Sequence, residues 1–485
     1  MKGTMFSLLA VFAAAASLHA GPRTAEQRKV EAIVASSETL RGAVVSAMAM
    51  TFDGDTLMAL DCDRMLVTAS NMKLITTGTA LHRLGGDFRF RTGIGYCGRI
   101  TDGRLDGDVV IVGGGDPTLG SRDSIAVPSQ QVFASWKAML SKAGIRSVGG
   151  KVIGDGGYFE GPRDHQSWQW EDIGTDYGTG GTGLSWQENV LRFYVQPGPS
   201  VGSPVSIRQT YPSVPRLKLT CECTTGEAGT GDRLYLFSTD FADRAVMTGT
   251  YALGKAPKTL KCSNKQPELT CAAEFASYLA SAGIPGGKPE GMPRGCGRDS
   301  LKMLGTTYSP SLRLIAKVTN NDSNNFYAET LARMLGKTLT GNACYDSASV
   351  AVQRVLADLG LSTKHGARIV DGSGLSRENY VSPAFFCKFL AAMKDSPAWD
   401  DFLSSLPQPG VSGTIKGALS RLPMETRRAV HMKSGAMNGV RCYSGYYLPD
   451  SGRPVIFSVM VNNCTAKDSD LKTVLDSIIT AVITE

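Results

Sequence analysis

From Phe88 to about Tyr251 the sequence loses the helical period that governs the residues on either side of it. Short alternating runs take over, separated by glycine-rich turns: Gly113-Gly114-Gly115-Asp116-Pro117, Gly149-Gly150, Gly154-Asp155-Gly156-Gly157 and Gly178 to Gly183. Alternation marks half-buried strands, and clustered glycines mark tight turns between them. One helical stretch, about 129–143, interrupts the pattern. Upstream, a helix is predicted over 23–41, then a hairpin around Asp53-Gly54-Asp55, then a helix that carries Ser70 and ends near Gly85-Gly86. From about Thr270 helices return, over 272–282, 312–319, 324–335, 347–359, 383–394 and 413–420. Strands near 427–433, 441–447 and 454–462 and a last helix over 468–483 close the chain. The two ends fit one α+β domain, an antiparallel sheet covered by helices, with mostly β material inserted after the Ser70 helix. Three consecutive domains would be the alternative, but that arrangement strands Ser70 far from the polar motifs downstream.

The chain has 485 residues, enough for more than one core. Its net charge of +7 is mild, and no basic run interleaves with aromatics, which argues against nucleic acid as a partner. Lys2 followed by the apolar stretch from Met5 to Ser17 reads as an export signal over 1–20, cleaved after Ala20 or Ala16. The rival is an N-terminal anchor, but the apolar run is short for a spanning helix. Export without a retained transmembrane anchor places the mature chain in an oxidising space, the periplasm or the cell-wall side of the membrane. Eleven cysteines are then expected to pair in part, Cys221 with Cys223 and Cys262 with Cys271 being near in sequence. Five scattered histidines give no zinc spacing, so neither metal nor other cofactor is expected.

Three short motifs carry the chemistry. Ser70-Asn71-Met72-Lys73 puts a serine and a lysine three residues apart on one helix face. A serine hydroxyl needs a base, and a lysine serves as one when burial or a second cation lowers its pKa. Ser323-Asn324-Asn325 stands at a helix start, and Lys433-Ser434-Gly435 at a strand end. Each fragment alone also reads as ordinary structure: a helix cap with a solvated lysine, a second cap, a solvated strand end. Together, and in this order, they match the trio shared by β-lactamases and penicillin-binding proteins. In that trio Ser70 attacks a carbonyl and Lys73 takes its proton, while Lys433 lowers the Lys73 pKa. Ser323 relays a proton to the leaving amine and Asn325 bonds the substrate amide. Lys433 and Ser434 suit a terminal carboxylate, Gly435 lets a substrate backbone approach, and the N–H groups of Ser70 and Ala436 form an oxyanion hole.

The chain resembles the class C low-molecular-mass penicillin-binding proteins from about residue 24 to its end. The likeness extends to Gly114-Gly115-Asp116-Pro117-Thr118-Leu119, Tyr158 to Arg163, Trp168-Gln169-Trp170-Glu171-Asp172, Asp371-Gly372-Ser373-Gly374-Leu375-Ser376 and Ser404-Ser405-Leu406-Pro407 with Gly413-Thr414. About 250 residues separate Ser70 from Ser323, room for the two nested domains such proteins carry. The resemblance implies a β-lactamase/transpeptidase-like catalytic domain over 21–90 and 285–485 with β-rich inserted domains over 91–284. It implies a serine D-Ala-D-Ala carboxypeptidase, with D,D-endopeptidase activity open, that acts on peptidoglycan peptides and is inhibited by β-lactam antibiotics. It also implies that Asp172, with Glu171 as the alternative, pairs with the free amino end of a diaminopimelate side chain. Ser434 and Ala436 depart from the threonines more usual at those positions. A β-lactamase and a silent penicillin-sensing protein are the competing readings of the trio. Two further matches fail on context. Gly198-Pro199-Ser200-Val201-Gly202 has no helix after it to form a nucleophile elbow, and Gly93 to Gly98 has none to hold a phosphate.

Overall fold

The computed structural model describes residues 23–240, 242–295 and 300–484; the expected export signal lies outside them. The two ends of the chain share one antiparallel sheet, in the order Val430–Met437, Val440–Tyr447, Val455–Asn462, Val44–Thr51, Thr56–Leu60. Val455–Asn462 is buried along its whole length, and its side chains alternate between two cores. Ile456 and Met460 face a core with Leu74, Ile75, Phe386 and Phe389. Val455, Phe457, Val459 and Val461 face another with Val30, Leu475, Ile478 and Ile479. That period-2 division is why a central strand reads as a continuous apolar run.

Helix Met72–Leu84 packs inside the first core and is buried from Met72 to Leu81. Polar residues survive there because they bond the helix itself: Thr77 donates to the Lys73 carbonyl at 2.6 Å and Thr79 to that of Ile75 at 2.7 Å. Gly78 admits the Phe389 ring, which a Cβ would meet at 2.6 Å. The helix ends where Gly85, at φ 81°, turns the chain out.

The inserted segment is less purely β than its alternation suggests. Its main sheet runs in the order Gly286–Met292, Ser147–Asp155, Arg104–Val112, Arg91–Thr101, Lys302–Tyr308. Arg104–Val112 pairs parallel with Ser147–Asp155, and that strand pairs parallel with Gly286–Met292. Helices Ser129–Lys142 and Pro267–Ser281 supply the crossovers that parallel pairing demands. The aromatic core of this unit, with Trp136, Trp186 and Phe275 buried, sits between sheet and helices. Two three-stranded sheets enclose a smaller core around Phe193 and Met247. Because Gly286–Met292 and Lys302–Tyr308 complete the inserted sheet, a return at residue 285 is too early. The helices of the first core resume at Leu312–Asn321.

Other expectations shift for local reasons. The first helix covers Ala25–Ser36, capped by Thr24, with a separate turn at Glu38–Leu40. The helix expected over 413–420 is a single 3-10 turn, Gly413–Ile415, because Gly413 and Leu419 adopt left-handed backbone, at φ 67° and 52°. Helix Trp399–Ser405 is absent from the sequence reading. All ten described cysteines are free. Cys262 and Cys271 are buried in different cores, which separates the expected pair, and Cys221 and Cys223 lie on one strand, exposed and buried respectively. Among the described residues no helix is long and apolar enough to cross a membrane, and no cluster of three or more His, Cys, Asp or Glu could hold a metal.

Candidate active site

Ser70 sits in a 3-10 turn, Ala69–Asn71, that leads into helix Met72–Leu84. Its neighbour Ala69 has left-handed backbone at φ 43°, and so does Ser323 at φ 56°. Such non-glycine conformations cost about 1–3 kcal/mol each and gather at functional sites. Gly374 makes the first one possible: a Cβ there would stand 1.9 Å from the Ala69 carbonyl oxygen. Gly435 also passes close, its Cβ position lying 2.5 Å from the Thr68 carbonyl oxygen. The edge strand and the Ser70 turn are thus in backbone contact.

Lys73 is fully buried, and its Nζ has three neighbours: Ser70 Oγ at 2.9 Å, Asn325 Oδ1 at 2.6 Å and the Ser373 carbonyl at 2.8 Å. The Asn325 amide donates through Nδ2 to the Tyr177 carbonyl at 2.9 Å, which fixes its oxygen toward Lys73. Two of the Lys73 partners can only accept. A neutral amine fits them with its two N–H groups and keeps its lone pair for the Ser70 hydroxyl. Burial brings the Lys73 pKa down to about 7, against the upward pull of Glu329 and Asp371. Lys433, also fully buried, donates to Ser323 Oγ at 3.1 Å and to the Ser434 carbonyl at 2.7 Å. Its pKa is lowered well below the usual lysine value, by burial first, then by Lys73 and Arg441. Burial is the first cause at both lysines, and their proximity disfavours two positive charges side by side.

The turn that holds Lys73 is itself held. Both carboxylate oxygens of buried Glu329 accept backbone N–H bonds, from Gly372 at 3.0 Å and Ser373 at 2.7 Å. Asp371 accepts from Gly374, Ser376, Asn379 and the Trp168 indole at 2.7–3.0 Å. Burial and then Asp371 push the Glu329 pKa up to about 8, while its N–H donors oppose the shift. On the edge strand, Ser434 Oγ lies 3.0 Å from Thr414 Oγ1, so two hydroxyls stand together at the residue after Lys433.

Ser70, Asn325, Ala436 and Asp172 line one open cleft of about 360 Å³, with Glu171, Gln169, Tyr177 and Arg377. Asp172 is half-buried on the short helix Trp170–Ile173 and accepts from the Tyr177 hydroxyl at 3.1 Å. Its pKa is raised, by burial first. A larger cavity of about 670 Å³ lies around Arg163 and Arg333. Arg163 there is paired with Asp240 and Glu268, and no serine or cysteine among the described residues lines the space, whereas the smaller cleft holds Ser70. The structure therefore brings all five motif residues and Asp172 together. The sequence reading missed Glu329, Thr414, Tyr177 and Arg377 as members of the site. Thr414 lay within a quoted stretch, but nothing in the sequence announces that a carboxylate one turn into a helix will bind a distant loop.

The description of the D-Ala-D-Ala carboxypeptidase 3 (S13) family matches residues 26–482. The chain belongs to that family. It is accordingly a serine-type D-Ala-D-Ala carboxypeptidase, a hydrolase of the class C penicillin-binding group. A D-alanyl-D-alanine carboxypeptidase of Actinomadura sp. (strain R39) is 28% identical over 462 residues, covering 91% of this chain and 82% of its own length. The crystal structure of penicillin binding protein 4 from Haemophilus influenzae superposes with a TM-score of 0.79 at 22% identity, over 93% of this chain and 97% of that one. The same Haemophilus protein complexed with a β-lactam superposes at 0.75, with 21% identity. The likeness to these structures shows that the chain shares their α+β fold.

Proposed function

We propose that Ser70 is the nucleophile of this carboxypeptidase and Lys73 its base. Neutral Lys73 takes the Ser70 proton as Oγ adds to the carbonyl between the two terminal D-alanines. The N–H groups of Ser70 and Ala436 receive the oxyanion. Ser323, bonded to Lys433, passes a proton to the nitrogen as the C–N bond breaks and D-alanine leaves. Water then cleaves the Ser70 ester and releases the shortened peptide. Lys433, Ser434 and Thr414 hold the terminal carboxylate, Gly435 seats the substrate backbone, and Asn325 bonds its amide. A cross-linked peptide presents the same bond, so D,D-endopeptidase activity uses the same steps. Asp172, in a segment nested within the catalytic chain, reads a free amino group on the substrate side chain. Peptidoglycan stem peptides of an exported enzyme, reached after loss of residues 1–20, and β-lactams as acylating inhibitors complete the reading.

The observation that carries this reading is the Lys73 amine, buried and bonded to two pure acceptors with Ser70 Oγ at 2.9 Å. Fluorescent penicillin followed over time tests it. A stable label on the wild type and none on Ser70→Ala is expected. A penicilloyl adduct on Ser70→Ala, seen by mass spectrometry, overturns the nucleophile; rapid loss of label from the wild type identifies a β-lactamase instead.

A further inference from the structure

Three consecutive non-glycine residues in the inserted segment have left-handed backbone: Gln187 at φ 51°, Glu188 at 58° and Asn189 at 53°. L-residues visit this region singly, at a cost, and hardly ever in runs. Buried neighbours hold the turn in place. Asn189 accepts the Trp186 N–H at 3.1 Å and donates to the Gly180 carbonyl at 3.0 Å. Gln187 donates to the Tyr211 hydroxyl at 2.8 Å. The middle residue faces elsewhere. Glu188 accepts from Ser121 Oγ at 2.7 Å through one oxygen and from Asn324 Nδ2 at 3.0 Å through the other.

Asn324 lies between Ser323 and Asn325. Its own Oδ1 caps helix Asn325–Thr340 by accepting the Tyr327 N–H at 3.0 Å. Cap and carboxylate together therefore leave the Asn324 side chain one orientation. On one side of it Ser323, in left-handed backbone, meets Lys433; on the other Asn325 meets Lys73. The Tyr177 carbonyl, also from the inserted segment, holds Asn325 from outside. The second motif is thus gripped at both asparagines by the insertion.

We propose that Glu188 is a positioning residue for the acylation reaction, and that the strained turn at 187–189 exists to deliver it. It sets the second motif through Asn324 and touches neither substrate nor the reacting atoms. The assignment rests on the roles given above to Ser323 and Asn325. Strain at a functional site persists only where surrounding structure over-determines it, and the bonds of Gln187 and Asn189 do so here.

The test compares wild type, Glu188→Gln, Glu188→Ala and Glu188→Gly by penicillin acylation rate, by kcat and KM on a D-Ala-D-Ala peptide, and by melting temperature. Loss of a charged acceptor should slow Glu188→Ala acylation and kcat roughly ten-fold, with KM within about two-fold. Glu188→Gln, which can still accept from Asn324 and donate to Ser121, should recover most of the rate. Glu188→Gly should acylate as slowly as Glu188→Ala yet melt higher, because glycine takes a left-handed backbone freely. Unchanged kcat in Glu188→Ala overturns the proposal. So does a rate that tracks melting temperature across the three variants, which would make the residue merely structural. A wild type that fails to acylate at all would instead remove the functional reading on which this one rests.

Discussion

The two walls of the cleft are built on different principles. One wall, from the shared sheet and its helices, offers Lys73 and Lys433 with no exposed surface and with each Nζ bonded to two or three protein oxygens. The other wall, from the inserted segment, offers Asp172 half-buried, with Tyr177 about half exposed at its side. Burial is what makes a lysine a base near neutrality, so the first wall must be closed. A group that reads part of a substrate must stay open to it, and so gains less from each contact. Bond-making is therefore expected to be sensitive to small changes on the first wall and tolerant of changes on the second.

The largest effect should come from Lys73→Arg. Arginine keeps the charge and cannot give up its proton, so acylation by penicillin should fall by about a hundred-fold or more. Stopped-flow rates near the wild-type value would mean that Lys73 acts through charge alone, and the contrast between walls would collapse. The pH dependence follows from the same residue. Its folded pKa is depressed to about 7, and the base is its neutral form. Acylation should then decline as pH falls through about 7, close to ten-fold per unit well below it. A flat profile between pH 5 and 8 would contradict this.

Gly374→Ala tests how tightly the first wall is closed. The added Cβ must displace the Ala69 carbonyl, 1.9 Å away, at a position already at φ 82°. A loss of about 1–3 kcal/mol in stability, read from denaturant unfolding, should accompany slower acylation. An alanine variant with wild-type stability and rate would show that the Ser70 turn yields easily. The smallest and most selective effect belongs to the second wall. Asp172→Ala should leave penicillin acylation nearly intact and lower kcat/KM roughly ten-fold on peptides bearing a free side-chain amine. An acetylated D-Ala-D-Ala peptide without that amine should lose little. Equal losses on both peptides would make Asp172 a structural residue of its loop.

The apolar periods alone were enough to draw the shared sheet. Val455–Asn462 and helix Asp468–Ile483 lie where the pattern puts them, because each buries a face that has to be apolar along its length. The inserted segment was harder to read, since parallel strands with crossover helices and antiparallel strands show similar short apolar runs. Only pairing partners tell them apart, and these lie as far away as Lys302–Tyr308 against Arg91–Thr101.

What the sequence determined by itself was the chemical inventory: two serines, two lysines and an asparagine in an order that points to acyl transfer. Residue type and short spacing suffice for that, because nucleophile and base must share a helix face. Tertiary structure decided how the inventory works. Burial of Lys73, the grip of Glu329 on the loop that carries Ser373, and the reach of Glu188 to Asn324 join residues 44 to 136 positions apart or more. The energies involved are desolvation and hydrogen-bond geometry, which belong to the packed chain and have no value until it is folded.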